Sequence, residues 1–305
     1  MSLQERLGGG ATLAEAQVAR SILAWALPGL LTRRRLEHLG AVLLTFALLA
    51  GLLLPLVWLM LLSLKTQLQA FDRTQVFLFW PTVENYHRLL ADGTFFRYVF
   101  NSLWVAVGTV AVSLTVGAPA AYVVSRSRWR RFQVLALGYS LFVRIVPPMV
   151  FVIPYFLAFR YAGLSDSRIG LIIAYSNLNI PLVMWSLWSF FNEVPRDLDE
   201  AARTDGATTW QAFVRVVLPV AAPGLAATAI LTFIIAWNEF LLALILTSRE
   251  ARTLPVAIVG FLAYEGADWG LVSSGSILVM APIVVFTFLI RKYLVQGLVG
   301  GALKG

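Results

Sequence analysis

The sequence predicts an all-α polytopic membrane protein with six transmembrane helices. Hydrophobic residues make up 59% of the 305 residues, charged residues only 13%, and the mean hydropathy is +0.78. A soluble domain carries about 25% charged residues. Six crossings of about 20 residues each, with their loops, use most of the chain. A large extramembrane catalytic domain is therefore excluded.

Six apolar stretches are long enough to cross a bilayer, and they lack the alternation of outer-membrane strands. We place the spans at about 39–62, 98–124, 133–159, 169–191, 221–247 and 270–290. The organisation that follows is a cytoplasmic N-terminal segment (1–38), a transmembrane domain (39–292) and a cytoplasmic C-terminal tail (293–305). The first stretch exceeds the 7 to 15 residues typical of a signal-peptide core, so we interpret it as an uncleaved helix.

The positions of the prolines predict bends or breaks in the helices. Pro147, Pro148 and Pro154 fall in one span and should bend or break that helix. In the first outer loop, Thr82 precedes Glu84 at a spacing that can start a short helix.

The basic residues predict the orientation. With the N terminus inside, the inner segments hold fifteen Lys and Arg residues and the outer segments hold eight. An excess of Lys and Arg marks the cytoplasmic side, so both termini are expected in the cytoplasm. These basic loops also account for the net charge of +8, and no nucleic-acid partner is expected.

Several chemistries are excluded by residue type. The chain has no cysteine, and its two histidines, His38 and His87, lie outside the spans. Disulfides and thiolate sites are therefore excluded, and no metal or other cofactor is expected in this chain. The sequence also lacks a Gly-x-x-x-x-Gly-Lys-Ser/Thr phosphate loop, so it is not expected to be an enzyme that hydrolyses ATP.

The inner loop at 192–220 predicts two short helices. Pro195 suits a first helical turn, and Asp197 and Asp199 complement the positive start of a helix. Gly206 supplies the backbone freedom that ends this first helix.

The second helix has its own start signal. Thr208 with Gln211 three residues later is typical of a capping box, and the helix should run to Pro219. On the first helix, Leu198, Ala201 and Ala202 share a face by the three-and-four spacing, and another protein can approach a face of alanines closely. Spacing alone leaves two interpretations open: a docking knob, or a cap that only links two spans.

The residue identities favour docking. The loop resembles the EAA loop of permease subunits in binding-protein-dependent ABC importers: Glu-Ala-Ala, three residues, Gly, nine residues, an aliphatic residue, one more, then Leu-Pro. The matching residues here are Glu200, Ala201, Ala202, Gly206 (preceded by Asp205), Val216, Leu218 and Pro219. Type and spacing agree over 20 residues.

Other segments resemble the carbohydrate branch of that family, the maltose-type, MalG-like permeases. These segments are residues 81–86, Arg144 with Pro147 and Pro148, Trp237–Phe240 and the tail from Val295. The resemblance covers nearly the whole chain from about residue 39. It implies a type I ABC importer permease fold in a bacterial or archaeal cytoplasmic membrane, with a cytoplasmic EAA coupling loop.

The resemblance also implies partners. The helix from Glu200 to Gly206 would sit in a cleft of an ATP-hydrolysing subunit, and the tail, with Gln296, Gly297 and Lys304, would reach the same ATPase. A second homologous permease, two ATPase subunits that bind ATP and Mg, an extracytoplasmic solute-binding protein and membrane lipid would complete the machine. Taken by itself, the tail is too rich in glycine for a stable isolated helix.

Polar residues within the spans are candidates for a substrate path. Arg144 and Glu239 are ionisable at membrane depth, where a charge costs about 2.5 to 3.5 kcal/mol on insertion scales. Asn177, Asn179 and Asn238 add hydrogen-bonding groups, with Trp185, Trp188 and Trp237 nearby in sequence. Lining a sugar path and simply holding helices together are both open interpretations.

Two alternatives to sugar import remain. The same machinery could carry a polyol, a glycerol phosphate or an acidic sugar derivative, since Arg144 suits an anion. An ATP-independent secondary transporter is the other, although a single interior acid and the absence of an inverted repeat argue against it.

Overall fold

A computed structural model describes residues 28–91, 93–263 and 268–302, and the side-chain surroundings of 37–91, 93–262 and 268–288. Fourteen α-helices and no strands occur in these ranges. The helices are α1 (Pro28–Ser63), α2 (Gln67–Phe71), α3 (Glu84–Ala91), α4 (Thr94–Arg126), α5 (Arg130–Ile145), α6 (Val152–Tyr161), α7 (Arg168–Glu193), α8 (Arg196–Thr204), α9 (Thr209–Ala212), α10 (Leu218–Val220), α11 (Ala222–Trp237), α12 (Leu241–Leu246), α13 (Leu254–Ala263) and α14 (Trp269–Ala302). A π-helical turn, Phe213–Val217, joins α9 to α10.

Four segments are long and apolar enough to cross a membrane: Glu37–Ser63, Thr94–Arg126, Arg168–Glu193 and Trp269–Phe288. Two bent pairs raise the number to six if each pair is one span. The pair α5 and α6, with the 3₁₀ turn Pro148–Phe151 between them, bends by 89°, and the pair 209–220 and 222–237 bends by 81°.

The described residues 28–58 belong to a unit of their own. Its helix α1 begins at Pro28, before the apolar stretch placed at about 39–62. Proline is well suited to a first helical position because its missing N–H has no intrahelical partner there. Every described side chain from Glu37 to Trp58 is exposed, as suits a helix surrounded by lipid.

Helices α4 and α7 contribute to both buried apolar clusters of the second unit, residues 59–305. Their backbones approach closely at Gly117, where an added Cβ would lie 2.6 Å from the Cγ1 atom of Val183. Small residues permit such close contact in membrane helices, where packing replaces the hydrophobic effect. The seam also buries the hydroxyls of Thr109 and Ser113.

The predicted proline effect is confirmed at one place. The chain breaks between α5 and α6 at Pro147 and Pro148. Pro154 does not break α6, because it lies in the first turn, where an N–H would have no intrahelical acceptor. The short helix predicted after Thr82 is α3, and the Thr82 hydroxyl accepts the Glu84 N–H at 3.2 Å.

The helices differ from the apolar stretches of the sequence in two places. The predicted span 221–247 is interrupted after Trp237, and the chain resumes as α12 at Leu241. The tail is not irregular, because the backbone of α14 stays helical to Ala302. A helix that is already nucleated by its apolar part extends at little cost through residues that could not nucleate one.

Candidate functional site

The segment 195–207 forms the first predicted helix of the inner loop, α8. Pro195 immediately precedes it, and Gly206 follows it with φ +88°. The Gly206 N–H donates to the Arg203 carbonyl at 3.1 Å and the Ala207 N–H donates to the Ala202 carbonyl at 3.0 Å. This pair of bonds is a Schellman motif, and glycine suits its left-handed position.

The second predicted start signal is also confirmed. The Thr208 N–H donates to Gln211 Oε1 at 2.8 Å, and the Gln211 N–H donates to Thr208 Oγ1 at 3.2 Å. The helix that follows runs to Pro219 as predicted, with a π turn at 213–217 within it. The loop is therefore a rigid pair of capped helices.

Most of the predicted docking residues are exposed. These are Glu200, Ala201, Asp205, Gly206 and Pro219. Ala202 and Leu218 are half-buried. This arrangement leaves small side chains and a carboxylate open to a partner.

The inner face of α8 carries an ion pair that the sequence analysis did not predict. Asp199 lies in the first turn of the helix as predicted, and its side chain is buried against α4. Its Oδ2 atom lies 2.6 Å from Arg126 Nε, and its Oδ1 atom accepts the Tyr122 hydroxyl at 2.7 Å. Arg126 also donates to the carbonyls of Phe191 (2.9 Å) and Val194 (3.2 Å).

Aromatic rings pack around the Tyr122 side of this ion pair. The ring of Tyr122 lies 4.8 Å from that of Phe213 and 6.1 Å from that of Phe191, centroid to centroid. Such edge and tilted contacts are favourable beyond the area that they bury. A signal in the sequence was the spacing of Tyr122 and Arg126, which places both on one face of a helix.

The substrate-path candidates do not converge. Asn177 borders a cavity of about 290 Å³ beside the break between α5 and α6, and its Nδ2 donates to the Tyr155 hydroxyl. Tyr139 and Phe151 form aromatic walls of the same cavity. Arg144 is exposed in the last turn of α5.

The other three candidates bond to the backbone. Asn179 Nδ2 donates to the Tyr175 carbonyl at 2.8 Å, and Asn238 Nδ2 donates to the Ile234 carbonyl at 2.8 Å. The Glu239 carboxylate accepts the N–H groups of Leu242 (3.1 Å) and Ala243 (3.4 Å), so it caps α12 after the break. The amides of Asn179 and Asn238 therefore bond within their own helices, and these two bonds do not join two spans. Of the nearby tryptophans, Trp237 is buried and donates to the Val279 carbonyl.

The opposite end of α4 and α7 carries a second unpredicted network, centred on Asp166. Its Oδ1 atom accepts the N–H groups of Ser248 (3.1 Å) and Ala251 (3.0 Å). Its Oδ2 atom accepts the Ser248 hydroxyl (2.8 Å) and the N–H groups of Arg249 and Glu250 (both 3.0 Å). Burial raises the pKa of this carboxyl, but the hydrogen bonds outweigh burial and hold the pKa well below its ordinary value.

The loop held by Asp166 is also tied to α4. Asn101 Nδ2 donates to the carbonyls of Glu250 (2.8 Å) and Arg252 (2.9 Å), and Ser102 Oγ accepts the Leu254 N–H at 2.8 Å. Segment 248–254 is thus fixed from two sides.

In the tail, Gln296 and Gly297 lie within the helical backbone of α14, and Lys304 lies outside the described residues.

Comparison with known proteins decides the family. Residues 113–300 match the family described as "Binding-protein-dependent transport system inner membrane component". The chain belongs to this family of permeases. The match spans α8, the ion pair at Arg126 and the cavity beside Asn177.

Two relatives cover most of the permease. It is 38% identical to the trehalose transport system permease protein SugB of Mycobacterium tuberculosis, over 83% of this chain and 93% of that protein. It is 34% identical to the trehalose/maltose transport system permease protein MalG of Thermococcus litoralis, over 90% and 98%.

Solved structures show the same fold. One chain of a bacterial ABC transporter that imports the acidic polysaccharide alginate superposes with a TM-score of 0.69 at 25% identity, over 85% of this permease and 96% of that chain. A chain of the alginate transporter in complex with its pentasaccharide-bound periplasmic protein gives a TM-score of 0.65 at 14% identity, over 87% and 95%. The type I permease fold expected from the EAA loop is confirmed.

Proposed function

We propose that this permease is a membrane-spanning subunit of an ATP-driven importer that takes up a sugar or oligosaccharide delivered by an extracytoplasmic binding protein. The observation that carries the proposal is the outward face of α8, where the matched EAA residues lie on a helix capped at its end by Gly206. Relatives that are trehalose and trehalose/maltose permeases support the carbohydrate class.

The complete machine would contain a second homologous permease, two ATPase subunits that hold ATP and Mg, and the binding protein. The distribution of Lys and Arg supports cytoplasmic termini and a cytoplasmic α8. Closure of the ATPase dimer would displace α8, and the substrate path at the permease interface would alternate between outward and inward openings. The tail, with Gln296, Gly297 and Lys304, would contact the ATPase.

A purification experiment tests the assignment. The chain is extracted from its own membranes in a gentle detergent, and bound proteins are identified by mass spectrometry. An ATPase and a second EAA-bearing permease should be recovered. Recovery of the chain alone, under conditions that preserve known complexes, would favour a gradient-driven transporter instead.

Charge reversal at Glu200 sharpens this test. Glu200→Lys should reduce ATPase recovery at least about tenfold, because it turns an exposed attraction into a repulsion at the docking face. Glu193→Lys, at an exposed carboxylate at the end of α7, is the matched control and should retain the ATPase. Equal recovery with both variants would contradict docking through α8.

For the substrate path, the cavity beside Asn177 is the strongest candidate. Its polar pair, Asn177 and Tyr155, and its aromatic walls suit a sugar, which offers both hydroxyls and an apolar ring face. At about 290 Å³ it is near the lower bound of ligand pockets and suits one sugar ring from this side.

Substitution separates Asn177 from the asparagines that bond within their own helices. Asn177→Ala should raise the KM for uptake about tenfold, the change expected when about 1.4 kcal/mol of binding is lost. Asn238→Ala should leave the KM near the wild-type value, because Asn238 bonds to its own helix. An unchanged KM for Asn177→Ala at normal membrane abundance would remove this cavity from the path.

Exposed Arg144 favours a second class of cargo. Its guanidinium could pair with a phosphate or carboxylate, as in a glycerol phosphate or an acidic sugar derivative. Competition of uptake by a neutral sugar and by its uronic acid would distinguish the two classes.

A further inference from the structure

We propose that the ion pair of Arg126 with Asp199, joined by Tyr122, is the mechanical link that makes α4 follow the movement of α8. We call these three residues the α4–α8 link. The inference rests on the proposed function, since it assigns how the displacement of a docked coupling helix reaches a membrane span.

The link faces away from the docking surface. Asp199 is buried, whereas its neighbours Glu200 and Ala201 are exposed. The side chains of Arg126 and Asp199 are only 15% and 11% exposed. A docking partner can therefore bind the outer face of α8 while the inner face stays bonded to α4.

The bonds across this joint run in both directions. Arg126 and Tyr122 reach from α4 to Asp199 on α8, and Arg196 reaches from α8 to the Ser125 carbonyl on α4 at 3.1 Å. Arg126 also bonds to the carbonyls of Phe191 and Val194 at the end of α7. One guanidinium thus ties α4, α7 and α8 together.

The covalent connection alone would hold α8 to α4 less firmly than the α4–α8 link does. Chain connectivity joins α8 to α7 through Val194 and Pro195, whose backbones are extended, and it does not join α8 to α4. Without the link, α8 could rotate about this short connection and leave α4 behind. A buried pair of opposite charges resists separation strongly, because each charge left alone would be desolvated without a partner.

The same property makes single substitutions ambiguous, since an unpaired buried charge can also unfold the joint. Replacing both members with neutral amides removes this difficulty. Arg126→Gln with Asp199→Asn leaves no buried charge, so the complex should assemble normally while the strong attraction is lost.

The test uses the purified complex of this permease with its partners and a fluorophore on α4. The chain has no native cysteine. Bimane is attached at Val116→Cys, or at Val107→Cys, both of which are exposed on α4, with partner subunits made cysteine-free. ATP hydrolysis and the change of bimane emission on addition of Mg-ATP with vanadate are measured on the same sample.

In the parent complex, the emission should change when nucleotide is trapped. In the double variant, the change per ATPase trapped should fall at least about fivefold, the lower range of coupling between linked sites. Arg128→Gln and Glu193→Gln, exposed on either side of the joint, should behave like the parent.

Three results would overturn the link. The first is that bimane emission does not change with ATP at either α4 position of the parent. The second is that the double variant shows the same emission change as the parent. The third is that the emission change and the ATPase content of the complex fall in the same proportion. Failure of the proposed function is distinguishable, because no ATPase would then be purified with the parent permease.

Discussion

Gly206→Val should abolish most of the transport while leaving the permease in the membrane. The φ of +88° at Gly206 lies in the left-handed region, which costs an L residue about 1 to 2 kcal/mol and is a genuine outlier for a β-branched one. An added Cβ would meet no atom within 4 Å, so the effect is backbone strain and not a clash. Relief of that strain must break the bonds that end α8 and displace it from α9. We expect uptake to fall at least about tenfold.

A second glycine offers a closely matched control. Gly163 ends α6 with φ +68°, and it too has nothing within 4 Å of an added Cβ. Its N–H donates to the Arg160 carbonyl at 3.3 Å, and the Leu164 N–H donates to the Phe159 carbonyl at 2.8 Å, the same pattern as at Gly206. Gly163→Val should therefore impose a similar strain far from α8. Equal losses of uptake at equal abundance would mean that strain, and not the position of α8, sets the effect.

The sequence predicted those features whose causes are local. The capping box of Thr208 and Gln211 and the turn at Gly206 depend on residues at most five positions apart, so residue type and spacing suffice. The break at Pro147 and Pro148 follows from a missing N–H within the same segment. The membrane spans follow from composition over about 20 residues.

Features that join distant segments could not be predicted in this way. Asp199 meets Tyr122, 77 positions earlier, and Asp166 meets a loop more than 80 positions later. Nothing in the local pattern distinguishes Asp199, which is buried, from Asp197, which is exposed two residues earlier on the same helix. For the substrate-path candidates, the sequence identified Asn177 but not Tyr155, because a tyrosine in an apolar span looks like any other packing residue.

Asp166→Asn should destabilise the opposite end of the bundle more than any other single carboxylate-to-amide change there. One carboxylate accepts five hydrogen bonds from segment 248–251, and an amide offers only one oxygen to replace two. At least two N–H or O–H donors would lose their acceptor, at about 1 kcal/mol or more each. Asp166 has φ +50°, which asparagine tolerates well, so the substitution tests the hydrogen bonds and not the backbone.

The lowered pKa of Asp166 determines how the unfolding temperature should depend on pH. The pKa of the Asp166 carboxyl is lowered in the folded state from its ordinary 3.8, so its stabilisation is fully present above that value and is lost as the pH falls through the folded-state pKa. The thermal unfolding temperature of the purified complex should therefore be unaffected by this group between pH 6 and 8, and Asp166→Asn should lower it across that range. Below about pH 4 the difference in unfolding temperature between the parent and Asp166→Asn should become smaller.

Asp72→Asn is the control, because Asp72 accepts bonds only from Thr74 and Gln75 in its own turn. Its loss frees a local turn on the surface, whereas loss of Asp166 releases the connection between the α6–α7 turn and the loop before α13. Asn101 and Ser102 hold the same loop to α4. One carboxylate therefore stabilises each end of the α4–α7 pair: Asp199 at the end beside α8, and Asp166 at the opposite end. An unfolding temperature that falls equally for Asp72→Asn and Asp166→Asn would contradict the special position of Asp166 at that end.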